Sequence, residues 1–367
     1  MARIALVSDV HLGTQQYGLK ERYEDFLESF RRFGADVVKE KPDAVIIGGD
    51  LFDSSRPDAK EVFCAQQVVG RIKAAGIPVF GIDGNHDLVD GYWLRTIGAE
   101  RLLESETVDI EGTHVSGMSF RSGQDFVDTI RDMGERRMKV DVLVAHFALA
   151  EIIGGRTGTA DASVQELTPL LKKLGCKFVL MGHVHITDVH EWNGITFVNP
   201  GSTEMKSAQE RNEKFWMLVD TDSGEVKPIP LKTRPVEFVD IATEDDMASF
   251  TRRIERESRR DPETPAVFYH VIANNDIHDA FNRLAKIVHD NSALARIAMR
   301  AVADRDVVPA ADGRGSVATL ESAILDRFPK ESDEARLASS VLHSPEPSAI
   351  HLIINRFMCG EKGLVGT

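Results

Sequence analysis

The chain has 367 residues, of which 42% are hydrophobic and 28% charged, and it carries a net charge of −14. That length can bury a substantial core and suggests two units rather than one. The charge argues against a generally basic nucleic-acid binder, although it leaves room for a local basic surface and for a cation site that offsets its own carboxylates. Met1-Ala2-Arg3-Ile4 leads straight into a strand pattern, without the charged leader, apolar stretch and cleavage site of a secretory signal. No apolar run reaches the roughly 18 residues of a membrane span. The three cysteines, Cys64, Cys176 and Cys359, are far apart and form no CxxC pair, which points to a reduced, cytoplasmic setting.

From residue 3 to about 185, apolar runs alternate with amphipathic stretches. Ile4 to Val7 reads as a strand, and Glu21 to Lys39 as a helix with Phe26, Leu27, Phe30, Phe33 and Val37 at helical spacing. Ala44 to Ile47 is the next strand. Asp58 is placed to cap a helix that runs to Ala75 and is closed by Gly76 before the strand Ile77 to Ile82. Such alternation predicts layered α/β architecture. From Thr187 five short strands follow, Thr187–Glu191, Ile195–Val198, Phe215–Asp220, Glu225–Pro230 and Pro235–Ile241, with Asn193-Gly194 and Asp222-Ser223-Gly224 as turns. We expect them to add a second, antiparallel sheet, giving a two-sheet sandwich flanked by helices. Glu244 to Arg260, Ala266 to Ile272, Ile277 to His289 and Leu294 to Ala301 then complete a small β-α-β-α-β unit. The expected division is 1–233 for the sandwich, 234–303 for the small unit, 304–316 for a Pro/Gly/Ala-rich linker and 317–367 for a helical tail, where Ala349 to Met358 has an apolar stripe.

Five strand ends deliver oxygen or imidazole donors: Asp9 and His11, Asp50, Asn85, His146, and His183 and His185. Residues two apart in extended chain face one side, so Asp9 can act with His11, and His183 with His185. If Asp50 bridges, these seven groups give each of two ions four contacts. Two cations about 3.5–4 Å apart lower the pKa of a shared water and stabilise charge on a phosphoryl group under in-line attack. The mixed donors suit Mn²⁺, Fe or Zn²⁺, and the absence of thiolate argues against a structural zinc. His86, adjacent to Asn85 and so pointing away from it, is the candidate to protonate the leaving oxygen or to hold the transition state's charge, with Asp87 beside it to fix its tautomer and raise its pKa. One GD or NH pair alone would be an ordinary turn. All five in order, each after an apolar run, are harder to explain by structure alone. Asp188-Val189-His190 repeats the Asp9-Val10-His11 tripeptide inside a strand and reads as coincidence.

Ser8-Asp9-Val10-His11-Leu12-Gly13, Gly48-Gly49-Asp50-Leu51-Phe52-Asp53, Gly84-Asn85-His86-Asp87, Ala145-His146-Phe147 and Gly182-His183-Val184-His185 resemble the ordered signature of calcineurin-like metallophosphoesterases. More narrowly, Asp50 to Pro57 and Asn199-Pro200-Gly201-Ser202 resemble the meiotic recombination eleven family (Mre-eleven, SbcD in bacteria), nucleases of double-strand-break repair, especially archaeal members. That resemblance implies one cation on Asp9, His11, Asp50 and His185, and another on Asp50, Asn85, His146 and His183, with His86 catalytic but not a ligand. It also implies manganese-dependent double-strand exonuclease and single-strand endonuclease activity at DNA ends. It further implies a homodimer, a coiled-coil ATPase partner (Rad-fifty), and a DNA-binding cap at residues 234–303. A prokaryotic, archaeal, nucleoid-associated setting follows. The stripe of Ala349 to Met358 in the tail either packs on its own domain or binds the ATPase's coiled coil, and the linker before it favours the ATPase. Many members carry His where this chain has Asp53, and the interval from Asn85 to His146 is shorter than in well-known archaeal members, so loops that grip DNA are reduced.

Tyr17, Lys20, Arg22 and Arg56 lie in the motif loops and are the candidate DNA-phosphate contacts, with Lys206 and Arg211 as further basic candidates. The Arg252 to Arg260 cluster interleaves with Glu255 and Glu257 and reads as a self-paired helix face. The competing readings are a small-substrate phosphodiesterase of the same fold and a non-enzymatic DNA-end scaffold. A protein phosphatase fits less well, since Asp53 is followed by Ser54-Ser55.

Overall fold

The computed structural model describes residues 2–154, 160–208, 210, 213–257, 267–275 and 277–300. The linker 304–316, the tail 317–367, Arg211, Arg259 and Arg260 lie outside the described residues.

The first sheet is built on β1 (Arg3–Val7), β2 (Ala44–Ile47), β3 (Val79–Gly81) and β4 (Glu100–Arg101), all parallel, with β11 (Lys214–Asp220) antiparallel beside β1 and β12 (Val226–Leu231) antiparallel beyond β11. The second has a parallel centre of β6 (Thr113–Met118), β7 (Val142–His146), β8 (Phe178–Gly182) and β10 (Ile195–Asn199), edged by antiparallel β5 (Val108–Ile110) and β9 (Asp188–Trp192). The sandwich of two sheets between helices is therefore present, but the strands after Thr187 do not make the second sheet by themselves. The hairpin β9–β10, turned at Asn193-Gly194 with both residues at positive φ, extends the second sheet, and β11–β12 extend the first. The strand expected at 235–241 joins neither.

Period-two alternation explains why these strands are apolar throughout. In β1, Ile4 and Leu6 face the inter-sheet core with Ile46, Val142, Val144, Leu180, Val198 and Met217. Ala5 and Val7 face the other way, onto helices α1 (Lys20–Glu40) and α2 (Ala59–Ala74) through Leu27, Phe30, Phe33, Val68 and Ile72. On the far side Leu143, Ala145, Val179 and Met181 pack on α4 (Gly123–Glu135) and α6 (Val164–Leu174) through Phe126, Ile130, Leu167 and Leu171. The result is four layers, helix, sheet, sheet, helix, with β1, β2, β3, β7 and β8 all ending at one rim. Asp58 does open α2: its amide donates to the Glu61 carboxylate at 2.9 Å. Two short helices, α3 (Tyr92–Ile97) and α5 (Ala150–Ile153), lie in the connections.

Residues 236–300 carry a separate parallel sheet, β13 (Val236–Ile241), β14 (Phe268–Asn274) and β15 (Leu294–Arg300), with α7 (Glu244–Glu257) and α8 (Ala280–Asp290) as crossovers. It sits in the same compact unit as the sandwich. The arginines of α7 are not simply self-paired: Arg253 bonds Glu237 on β13, and Glu257 accepts from the Tyr269 hydroxyl on β14.

Candidate metal centre

Each of the five strand ends leaves its sheet by a sharp turn. Asp9, His11, Asp50 and His183 are non-glycine residues at positive φ (52°, 50°, 49° and 94°). Such backbone costs on the order of 1–3 kcal/mol per residue and persists only where the surroundings enforce it. Here amide bonds enforce it: Asp9 N to Gly49 O at 3.1 Å, His11 N to Asp50 O at 3.0 Å, and His183 N to the Asp9 carboxylate at 3.0 Å. Asp9 and His11 do converge, but through left-handed backbone rather than through extended alternation. His183 and His185 part company.

The donors fall into two groups that meet at Asp50. On one side His11 Nε2 lies 3.0 Å from His185 Nε2 and 3.7 Å from Asp50 Oδ2, while His185 Nε2 lies 3.8 Å from Asp9 Oδ1. On the other, His146 Nε2 lies 3.4 Å from the same Asp50 Oδ2 and 3.1 Å from Asn85 Oδ1, which is 2.8 Å from His183 Nδ1. One carboxylate oxygen thus faces both groups. Asp50 is 2% exposed, and its Oδ1 accepts from the His86 amide at 2.8 Å. Burial pushes the Asp50 carboxyl upward, but the bond and charge of His146, with the charge of His11, hold it well below the usual carboxylate range. Burial lowers His146, yet its bond to Asp50 and that carboxylate's charge carry it to about 9.

Close approach of backbone makes this possible. A Cβ on Gly84 would lie 2.1 Å from Asp50 Oδ1, and one on Gly49 would lie 2.4 Å from His146 Nδ1. Only glycine leaves room for the acid and the imidazole.

These donors suit divalent cations. Asp9, His11 and His185 form one cluster with ligand atoms within 4.8 Å of one another, and Asp9, Asp50 and His146 form a second. Two imidazole nitrogens facing each other at 3.0 Å need a proton or a cation between them. Imidazole, carboxylate and amide oxygen together are donors for transition-metal dications.

His86 lies at the rim with 36% of its side chain exposed, its ring edge-on to His11 at 4.8 Å. The tautomer-fixing role expected of Asp87 does not match its position. Asp87 is buried, its Oδ1 accepting from Gly84 N at 2.9 Å and its Oδ2 from Phe52 N at 3.1 Å, so it ties two motif loops together. Burial, then the charge of Asp50, raises its pKa to about 7. The group facing His86 Nδ1 is instead the main-chain oxygen of Asp53, at 3.0 Å.

The DNA-contact candidates separate as well. Arg22 is fully buried; it donates to Gln16, Asp25, Glu204 and Met205 O, and its guanidinium stacks on Phe26 and Phe268, so no phosphate can reach it. Tyr17 stacks on Phe268 at 5.7 Å with Arg296 over its other side at 4.7 Å, which commits the ring to the 236–300 sheet. Lys20 and Arg56 are exposed. Lys206 is paired with Asp53 at 2.8 Å. Sequence reading missed Glu210 and Lys214: Glu210 Oε1 lies 3.0 Å from His185 Nδ1, and Lys214 closes its Oε2 at 2.9 Å. The available signal was an acid and a lysine at i and i+4 just after the Asn199-Pro200-Gly201-Ser202 loop.

The pattern of the calcineurin-like phosphoesterases matches residues 2–187. The DNA double-strand break repair protein Mre11 of Haloferax volcanii is 34% identical over 66% of this chain and 55% of its own length. The Archaeoglobus fulgidus protein of the same name is 28% identical over 66% of this chain and 59% of its own, and that of Aeropyrum pernix 25% over 75% and 74%. The chain therefore spans little more than half the length of the first two relatives. Four-layer architecture, five donor-bearing strand ends on one rim and a match over residues 2–187 agree: the chain belongs to the calcineurin-like phosphoesterase family.

Proposed function

We propose that the chain is a DNA repair nuclease that hydrolyses phosphodiester bonds at DNA ends, as an exonuclease on duplexes and an endonuclease on single strands. The observation that carries this reading is the convergence of Asp9, His11, Asp50, Asn85, His146, His183 and His185 on two groups sharing Asp50 Oδ2. Two Mn²⁺ ions bound there, or Fe or Zn²⁺ in their place, would activate water and neutralise charge building on the phosphoryl oxygens. The chain's own part is to hold Asp50 ionised in a mostly buried cradle and to keep one proton carrier at the edge. His86 fills that second role: its Nδ1–H donates to Asp53 O, which leaves Nε2 free to take up a second proton and, as the imidazolium, to give it to the leaving oxygen. Asp87 supports it by fixing the loop.

DNA as the substrate rests on the relatives' description and on exposed Lys20, at the start of α1, and Arg56, in the loop after the second motif. The same reading includes a homodimer, a coiled-coil ATPase partner and a DNA-binding cap at 234–303. Exposed Phe63 on α2 and Tyr92 on α3, helices that pack together, offer an apolar face for a second copy. Among the described residues no helix is long and apolar enough to cross a membrane.

The test is a panel: linear duplex, single-stranded circles and a chromogenic phosphodiester, each with Mn²⁺, with EDTA, and with His86→Ser. Degradation of DNA that needs Mn²⁺ and His86 is expected, with His86→Ser still binding both metals and DNA. Cleavage of the chromogenic ester alone, with and without the ATPase, would refute the nuclease reading in favour of a small-substrate enzyme.

A further inference from the structure

The two imidazoles that face each other across the first group are backed in the same way. His11 Nδ1 lies 3.1 Å from Asp53 Oδ1, and Lys206 Nζ lies 2.8 Å from that oxygen. His185 Nδ1 lies 3.0 Å from Glu210 Oε1, and Lys214 Nζ lies 2.9 Å from Glu210 Oε2. Ser202 Oγ and the Lys206 amide also donate to Glu210 Oε2, and the Ser207 amide to Oε1. The second group is built otherwise: His146 Nδ1 faces the neutral carbonyl of Gly48 at 2.8 Å. Among the described residues, backing of Nδ1 by a carboxylate is seen at His11 and His185 and not at His146.

Lys206 Nζ also approaches His11 Nδ1, at 3.0 Å, so the ring nitrogen has two candidate partners. An ammonium has protons to give and no acceptor, and it lies closer to the Asp53 oxygen. Asp53 Oδ1 is shut off from solvent, and neither neighbour yet bonds it with good geometry. This buried carboxylate oxygen needs the protons that His11 Nδ1, at 3.1 Å, and Lys206 Nζ, at 2.8 Å, are close enough to turn toward it. If Lys206 instead took the His11 lone pair, the ring proton would sit on Nε2, aimed at His185 and Asp50, and would block the place a cation must fill.

We propose that Asp53 and Glu210, each closed by a lysine, are positioning residues that hold the Nδ1 protons of His11 and His185 and so aim both Nε2 lone pairs at one cation. The inference rests on the cation reading above and goes beyond it in assigning unequal support to the two positions. Outer carboxylates of this kind raise imidazole basicity, and their loss costs about 10- to 100-fold in metal affinity. Asp53 carries a second duty, since its main-chain oxygen holds His86. One residue thereby sets the ring on the cation and the ring that moves the proton.

Two measurements on the full chain test this. Long-range ¹H–¹⁵N spectra of histidine-labelled parent protein loaded with diamagnetic Zn²⁺, which supplies the cation between the two Nε2 atoms, should show His11 and His185 both protonated at Nδ1. An Nε2–H form at His11 overturns the role of Asp53 without any variant. Mn²⁺ titration followed by electron paramagnetic resonance should then show Asp53→Asn weakening one of two Mn²⁺ equivalents about 10- to 100-fold and sparing the other, with Asp53→Glu restoring part of the loss. Parental binding in Asp53→Asn, or equal loss of both equivalents, overturns the proposal. A parent that binds no Mn²⁺ overturns the cation reading itself, a failure separate from the wrong tautomer in a protein that binds metal.

Discussion

Gly84→Ala is one of the most severe small changes the site offers. The added Cβ would sit 2.1 Å from Asp50 Oδ1, 2.6 Å from its Cγ and 2.3 Å from its main-chain N. Ordinary contacts need about 3.5 Å, so acid or loop must move by more than about 1 Å. Neither is a flexible tail: Asp50 is 2% exposed and its backbone follows directly on β2. Overpacking of this kind costs about 1–3 kcal/mol, and losing the His86 amide bond to Asp50 Oδ1 adds about 1.5–3 kcal/mol because the acceptor is charged. A stability loss of about 2.5–6 kcal/mol follows, with both Mn²⁺ affinities falling because Asp50 faces both groups. Guanidinium unfolding with and without Mn²⁺, plus Mn²⁺ titration, reads both effects. Gly70→Ala is the control. It lies on the exposed side of α2 with nothing within 4 Å of its Cβ, and should stabilise by about 0.5–1 kcal/mol. Parental stability and metal binding in Gly84→Ala would refute the argument that glycine packing sets the position of Asp50.

Asp50→Asn should weaken both metal equivalents, whereas His11→Ala should weaken mainly one; the same Mn²⁺ titration distinguishes them, and equal loss in each contradicts a shared oxygen. Arg22→Met strands Glu204, which is 1% exposed, beside an apolar side chain, and should cost about 3–5 kcal/mol in denaturant unfolding. Arg56→Ala should leave stability within about 0.5 kcal/mol and instead flatten the salt dependence of DNA binding. Cys176 is buried, which pushes its thiol up to about 12, and burial raises Cys64 too, so in Cys359→Ser neither should react with a thiol reagent at pH 8 until guanidinium is added.

Much of this was readable in the chain because strand, helix and turn signals agreed locally. Phe26, Leu27, Phe30, Phe33 and Val37 mark α1 by spacing alone, and all are buried. Pairing was less readable, since β11 lies against β1 more than 200 residues away and nothing in either segment names its partner. The failures at the site have the same origin. Adjacency suggested Asp87 as the partner of His86, but the chain turns so that Asp53, from another loop, takes that place. Arg22 reads as a surface cation until Glu204 and Met205 fold over it. The convergence of Asp9 and His11 depends on positive φ at both, a conformation their side chains do not favour and that amide bonds to the second motif impose. Segments such as β4 and α5, two and four residues long, are too short for periodicity to reveal.

The central claim is that one oxygen of Asp50 serves two cations. Anomalous diffraction from Mn²⁺-soaked crystals tests it most directly. Two peaks are expected on either side of Asp50 Oδ2, one among Asp9, His11 and His185 and the other among Asn85, His146 and His183. A single peak, or two peaks that do not share Asp50, would contradict the account.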